Sequence, residues 1–137
     1  MTPLKVRIFC DGASRGNPGP ASAGAVLYDA GGGQVLGQVS KRLGVATNNT
    51  AEYRALILAL QEAARLGARE VDVFADSQLL VRQINGQYRV KHPGIKALHQ
   101  EASGLLAGFA AWKATHVPRE QNRAADALAN RALDRAD

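Results

Sequence analysis

Two apolar segments of this chain end alike. Ile8-Phe9-Cys10 runs into Asp11-Gly12, and Val73-Phe74-Ala75 runs into Asp76-Ser77. In each, the acid follows a Phe by two residues, so on a β-strand it shares the face of that ring. In each, the acid stands where strand chemistry gives way to loop or helix. If the two strands are parallel neighbours, Asp11 and Asp76 emerge side by side at the carboxyl edge, where open α/β sheets bind ligands. Carboxylates held that close repel each other and raise a pKa. A divalent cation removes that cost. An all-oxygen donor set suits hard ions, Mg2+ or Mn2+. With three His and one Cys, the chain has no clustered spacing of the zinc type.

Two further acids are placed to join them. Glu52 follows Thr47-Asn48-Asn49-Thr50-Ala51 in the first turn of a helix, and Asp126 follows Asn122-Arg123-Ala124-Ala125 at the start of another. Each of the four also has a plain structural reading. Asn49 and Glu52 have capping-box spacing, Asp76 suits a helix N-cap, Asp126 complements a helix dipole and Asp11 suits a turn. Taken singly, the plain reading is preferred for all but Asp11, and spacing alone does not prove that the four converge.

The elements that must position these acids follow from periodicity. Lys5 to Asp11 alternates, with Val6, Ile8 and Cys10 on one face. Gly12 to Pro20, with its glycines and prolines, reads as a loop. Ala23–Tyr28 and Gln34–Arg42 read as strands around a glycine turn, which gives the sheet an antiparallel start. Thr50 to Leu66 is a helix striped by Tyr53, Leu56, Ile57, Leu60 and Ala64, ended by Gly67. A strand over Glu70–Asp76, helices over Ser77–Ile84 and Ile95–Phe109, a strand over Trp112–Val117 and a helix over Asn122–Arg135 complete the chain. The inward face of the last helix is Ala125, Leu128, Ala129 and Ala132. A helix between the first and fourth strands serves as a crossover and makes them parallel neighbours. The expected fold is an α/β domain over 1–137, with a mixed five-stranded sheet, three antiparallel strands then parallel ones, flanked by helices.

Composition is ordinary for a globular chain of 137 residues, with 46% hydrophobic and 21% charged residues. The net charge of +5 is consistent with an anionic partner such as nucleic acid and does not by itself require one. A lone cysteine, Cys10, permits no intramolecular disulfide and reads as a small core residue. Met1-Thr2-Pro3-Leu4-Lys5-Val6 carries no leader-like apolar run, so the cytoplasm is the expected location, with no membrane partner and a monomeric chain.

Four stretches together resemble type 1 ribonuclease H. They are Phe9 to Pro20, Thr47 to Tyr53, Asp76-Ser77-Gln78, and His116 to Asp126. They stand in that family's order and at its spacings across essentially the whole chain. The resemblance implies endonucleolytic hydrolysis of the RNA strand of RNA–DNA hybrids, leaving 5′-phosphate and 3′-hydroxyl ends. It implies four metal-binding carboxylates, Asp11, Glu52, Asp76 and Asp126, and two Mg2+ ions on one phosphodiester, with Mn2+ as a substitute. It implies contacts to the RNA strand from Ser14, Asn17, Asn48, Asn49 and Gln78. Amide side chains both donate and accept, as a 2′-hydroxyl does. For Asn17 a turn-forming role is nearly as well supported. Thr47 would hold a DNA-strand phosphate, and Tyr88, a looser match, would stack on a deoxyribose.

The chain departs from the family's pattern in two places. Many bacterial members insert a basic helix and loop after the second helix; here Asn85 to Gly94 stands instead, a short form without that protrusion. Arg89, Lys91 and His92 are the basic residues left there. The mobile histidine that precedes the last acid is matched in spacing by His116, but Arg119 stands in the expected loop, and Arg119 is preferred by a small margin. A related metal-dependent nuclease or phosphoester hydrolase on the same fold is an alternative. So is a module that binds hybrid or double-stranded RNA without cutting, although such a module would be expected to lack one of the acids.

Overall fold

The computed structural model describes residues 3–135, so the outermost two positions at each end of the expected 1–137 domain lie outside the described residues. The elements are β1 (Lys5–Ser14), β2 (Gly19–Asp29), β3 (Val35–Ala46), α1 (Asn48–Arg65), β4 (Glu70–Ala75), α2 (Gln78–Ile84), α3 (Pro93–Ala107), β5 (Ala111–His116) and α4 (Arg123–Asp134), with a single 3-10 turn over Arg119–Gln121 before α4. The sheet runs β3-β2-β1-β4-β5. β1 pairs antiparallel with β2 and β2 with β3, whereas β1–β4 and β4–β5 are parallel. This is the mixed sheet expected from the crossover argument.

The alternation of β1 separates two layers. Val6, Ile8 and Cys10 join Leu27, Tyr53, Leu56, Leu60, Val71, Val73, Ile95 and Leu106 in one core beneath α1, α2 and α3. Burying such side chains stabilises by about 1.5–3 kcal/mol each. α4 covers the opposite face and buries Ala125, Leu128, Ala129 and Ala132, the four residues expected to face inward. Cys10 is buried and free, and burial pushes its thiol pKa well up, as suits a core residue rather than a nucleophile.

Several expected boundaries move. The Gly-rich stretch after Asp11 is mostly not loop: β1 continues to Ser14 and β2 starts at Gly19 rather than Ala23. Ladder bonds from a neighbouring strand hold these residues extended whatever their local preference. β3 likewise runs to Ala46 rather than Arg42. α1 starts before Thr50: its cap is Thr47, whose Oγ1 accepts from the Thr50 N–H at 3.2 Å. Asn49 therefore lies inside the helix, and the Asn49–Glu52 capping box does not form. The N-cap of α2 is Ser77, whose Oγ accepts from the Leu80 N–H, so Asp76 is not a cap. The inward face of α1 takes Ala63 in place of Ala64, together with Ala51, Ala55 and Ala59. A row of alanines at i, i+4 lets a helix lie close on a sheet, beside the stripe of bulkier residues that periodicity marks.

Candidate active site

The last parallel pair between β1 and β4 is Cys10 with Ala75. Asp11 and Asp76 are the next residues on each strand, so the register sets them side by side at the carboxyl edge of the sheet. Glu52 comes from the second turn of α1. Carboxylate oxygens of Asp11, Glu52 and Asp76 lie within 4.8 Å of one another. Asp126, from the first turn of α4, faces the same cleft, and its proximity contributes to raising the Asp11 pKa. All four line one open cleft of about 450 Å3, with Ser14, Arg15, Asn48, Ser77, Arg119 and Asn130 among the other lining residues.

Two glycines bring the helices this close. A Cβ on Gly12 would lie 2.3 Å from the backbone of Ala51 and Glu52. Only glycine lets the start of α1 rest on β1, and there the Gly12 N–H donates to Glu52 Oε2 at 3.2 Å. Gly24 is the register partner of Asp11. A Cβ there would lie 2.1 Å from the carbonyl oxygen of Ala125, so Gly24 lets α4 settle on β2 and carries Asp126 towards Asp11. Ser22 and Ser40 reinforce that docking, donating their hydroxyls to the α4 carbonyls of Ala129 and Leu128 at 2.6 and 2.7 Å. Gly12→Ala is expected to cost about 3 kcal/mol in urea denaturation, near the upper end for overpacking, because the opposing atoms are backbone.

The electrostatics follow from crowding. Asp11 and Glu52 are only 5% and 7% exposed. Burial, then the negative charges of Glu52 and Asp76, raise the Asp11 pKa. Burial, then Asp76, raise that of Glu52 against the lowering effect of the Gly12 N–H. Buried acids this close to one another cannot all ionise without a counter-charge. The donor set fits a hard divalent cation: it is all carboxylate oxygen, converging from three separate elements, and costly to ionise without a counter-charge.

The other expected site residues divide. Ser14 and Asn48 line the same cleft as the acids. The Ser14 hydroxyl lies within hydrogen-bond reach of the carbonyls of Ala46 and Gly16, either of which can accept its one proton. Asn17 Oδ1 accepts from the Asn48 N–H at 3.0 Å, which ties the β1–β2 turn to the start of α1. Thr47 and Gln78 are exposed, and Asn49 is half-buried. Tyr88 lies away from the acids, beside a second groove with Gln83, Arg89 and Lys96. Its hydroxyl accepts from Arg82 at 2.7 Å, and the same guanidinium sits 5.0 Å from its ring centroid. Arg119 lines the acidic cleft. His116 is exposed at the end of β5, opposite Ala75. Three cleft neighbours escaped the sequence reading. Asn130, one turn beyond Asp126, donates to the Asp126 carbonyl at 3.0 Å. Arg15 pairs with Asp134, and Asn122 is buried behind the acids.

The family model described as reverse transcriptase-like matches residues 9–132. The N-terminal RNase H domain of a Mycobacterium tuberculosis protein superposes with a TM-score of 0.92 at 48% identity, covering 95% of this chain and 99% of that one. This chain belongs to the ribonuclease H family. The ribonuclease HI of Halobacterium salinarum is 47% identical over 96% of the chain, and the RNase H1 structure from that organism gives a TM-score of 0.93 over 99% of its own length. LC11-RNase H1, solved in complex with an RNA/DNA hybrid, is 40% identical with a TM-score of 0.88, covering 94% of this chain and 96% of that one. The chain spans 36% of the full mycobacterial protein, which is named as bifunctional, and 66% of the halobacterial enzyme. Among the described residues no helix is long and apolar enough to cross a membrane.

Proposed function

We propose that this chain hydrolyses the RNA strand of RNA–DNA hybrids, with divalent cations held by Asp11, Glu52, Asp76 and Asp126. The observation that carries the proposal is the convergence of acid oxygens from β1, α1 and the residue that follows β4 within 4.8 Å, in a chain of this family. Two Mg2+ ions, or Mn2+ in their place, would supply an activated water and charge neutralisation at the phosphate, leaving 5′-phosphate and 3′-hydroxyl ends.

The chain's own work is placement. The four carboxylates fix where the scissile phosphate must sit, and the sheet edge keeps them rigid. Ser14, Asn17, Asn48, Asn49 and Gln78 would read the 2′-hydroxyls that distinguish RNA in the shallow minor groove of a hybrid. Support for this comes from the β1–β2 turn, which Asn17 binds directly to the start of α1. Thr47 and Tyr88 would meet the DNA strand, and the Arg82 contact holds the Tyr88 ring for stacking. Arg119, at the cleft, is the better-placed candidate to assist proton transfer or product release; His116 is the other.

The test offers labelled hybrid, double-stranded RNA, double-stranded DNA and single-stranded RNA side by side. Hybrid alone should be cut at its RNA strand, EDTA should stop the reaction, and Mg2+ or Mn2+ should restore it. Rescue by zinc alone would contradict the all-oxygen site, and binding of hybrid without cleavage under Mg2+ would favour a binding module.

A further inference from the structure

Asn122 stands just before α4 and is 1% exposed. An Asn at a helix start ordinarily turns its side-chain oxygen onto the N–H groups of the first turn. Asn122 makes no such bond. Its amino group points backwards and donates to the Cys10 carbonyl at 2.9 Å and to Asp76 Oδ1 at 3.3 Å. Cys10 and Ala75 are the last register pair of the two central parallel strands, so one amide bridges the point where β1 and β4 part, beside Asp11 and Asp76. The same residue opens the helix that carries Asp126, whose N–H donates to the Asn122 carbonyl at 3.1 Å.

The side-chain oxygen of Asn122 is buried without a partner, alone in this among the buried side-chain polar atoms of the described residues. Turning the amide over would set that oxygen against two other acceptors, so the orientation is fixed by its neighbours. An unpaired buried acceptor is destabilising. Fold stability alone therefore does not account for an amide here, whereas a need for donors facing Cys10 and Asp76 does.

We infer that Asn122 is a positioning residue, holding β1 and β4 where their pairing ends, and the start of α4, at the separation that lets Asp11, Asp76 and Asp126 share divalent cations. This rests on the proposed metal-dependent activity. Groups that orient metal ligands from behind typically change metal affinity by about 10–100-fold when removed.

The experiment compares the full chain with Asn122→Ala and Asn122→Ser, using Mg2+ alone as calorimetric probe, steady-state cleavage of hybrid, and the Tm of the metal-free protein. Asn122→Ala should bind Mg2+ about tenfold more weakly and lose about 10–100-fold in kcat, with KM for hybrid nearly unchanged. Its metal-free Tm should stay within about 4 °C of wild type. Asn122→Ser, which keeps one shorter donor, should fall between, and it carries the same readouts if the alanine variant does not fold. Unchanged Mg2+ affinity in a folded variant overturns the inference, as does a loss of affinity matched by a large fall in metal-free Tm. Wild-type protein that binds no Mg2+ and cuts no hybrid would instead overturn the proposed function, so the two failures are distinguishable.

Discussion

Asp11→Asn is expected to reduce cleavage of a labelled hybrid on the order of 10³-fold or more at saturating Mg2+, comparable to or beyond the loss of a key electrostatic group in other hydrolytic sites. Asp11 is the acid on which the others converge: its oxygens lie within 4.8 Å of those of Glu52 and Asp76, and Asp126 lines the same cleft. The substitution keeps shape and volume and removes the charge that would hold a cation. Asp76→Asn should behave likewise, since Asp76 supplies the opposing oxygen from β4. Neither change removes the amides and hydroxyls expected to face the nucleic acid. Hybrid affinity measured in EDTA should therefore stay within about threefold of wild type, because the phosphate and sugar contacts that dominate such binding are intact. Near-normal turnover in either variant with Mg2+ supplied would remove the carboxylates from the chemistry. A parallel collapse of EDTA binding would instead point to a folding defect.

The part of this site legible in the sequence was the part set by local pattern. The matching runs in β1 and at the end of β4 are visible as Phe-Cys-Asp and Phe-Ala-Asp, and period-two alternation places each acid on the face of its Phe. The structure stacks those two rings, with centroids 4.8 Å apart, as parallel neighbours in register require. The illegible part depended on close approach between distant segments. Gly12 reads as loop chemistry, yet it lies in β1 and makes room for α1. Gly24 sits inside an apolar strand, and that was the available signal, because an isolated strand glycine often marks a nearby backbone. Asn122 reads as the first residue of a helix; its bonds run to residues 112 and 46 positions away, and no local rule reports them. Thr47 and Asn49 are both acceptable caps, and packing of α1 on β1 selects the earlier one.

Without metal, the folded protein should lose stability as pH rises, against the usual behaviour of proteins whose carboxylates are paired. Burial and mutual repulsion raise Asp11 to about 10 and Glu52 to about 8. In the unfolded chain both return to the ordinary range of about 4. Between those limits the native state binds more protons than the unfolded one, so the slope of unfolding free energy with pH is negative. The contribution is fully present below about pH 4 and is lost as pH climbs through the folded values, the coupled acids titrating as a cluster. Chemical denaturation in EDTA should register a loss on the order of 3 kcal/mol from about pH 5 to about pH 9, discounted for protons shared within the cluster. Mg2+ should flatten the profile, because a cation favours the ionised acids that protons otherwise neutralise, and its stabilising effect should grow with pH. Asp11→Asn should flatten it as well, in the absence of metal and by a different route, since one repelling charge is gone. Greater stability of that variant in EDTA at alkaline pH, coupled to loss of the Mg2+ response, would separate a site built to hold cations from acids that merely support the fold. A rising profile in the metal-free wild type would show that these carboxylates are already neutralised by other means, and the case for a cation at this edge of the sheet would fall with it.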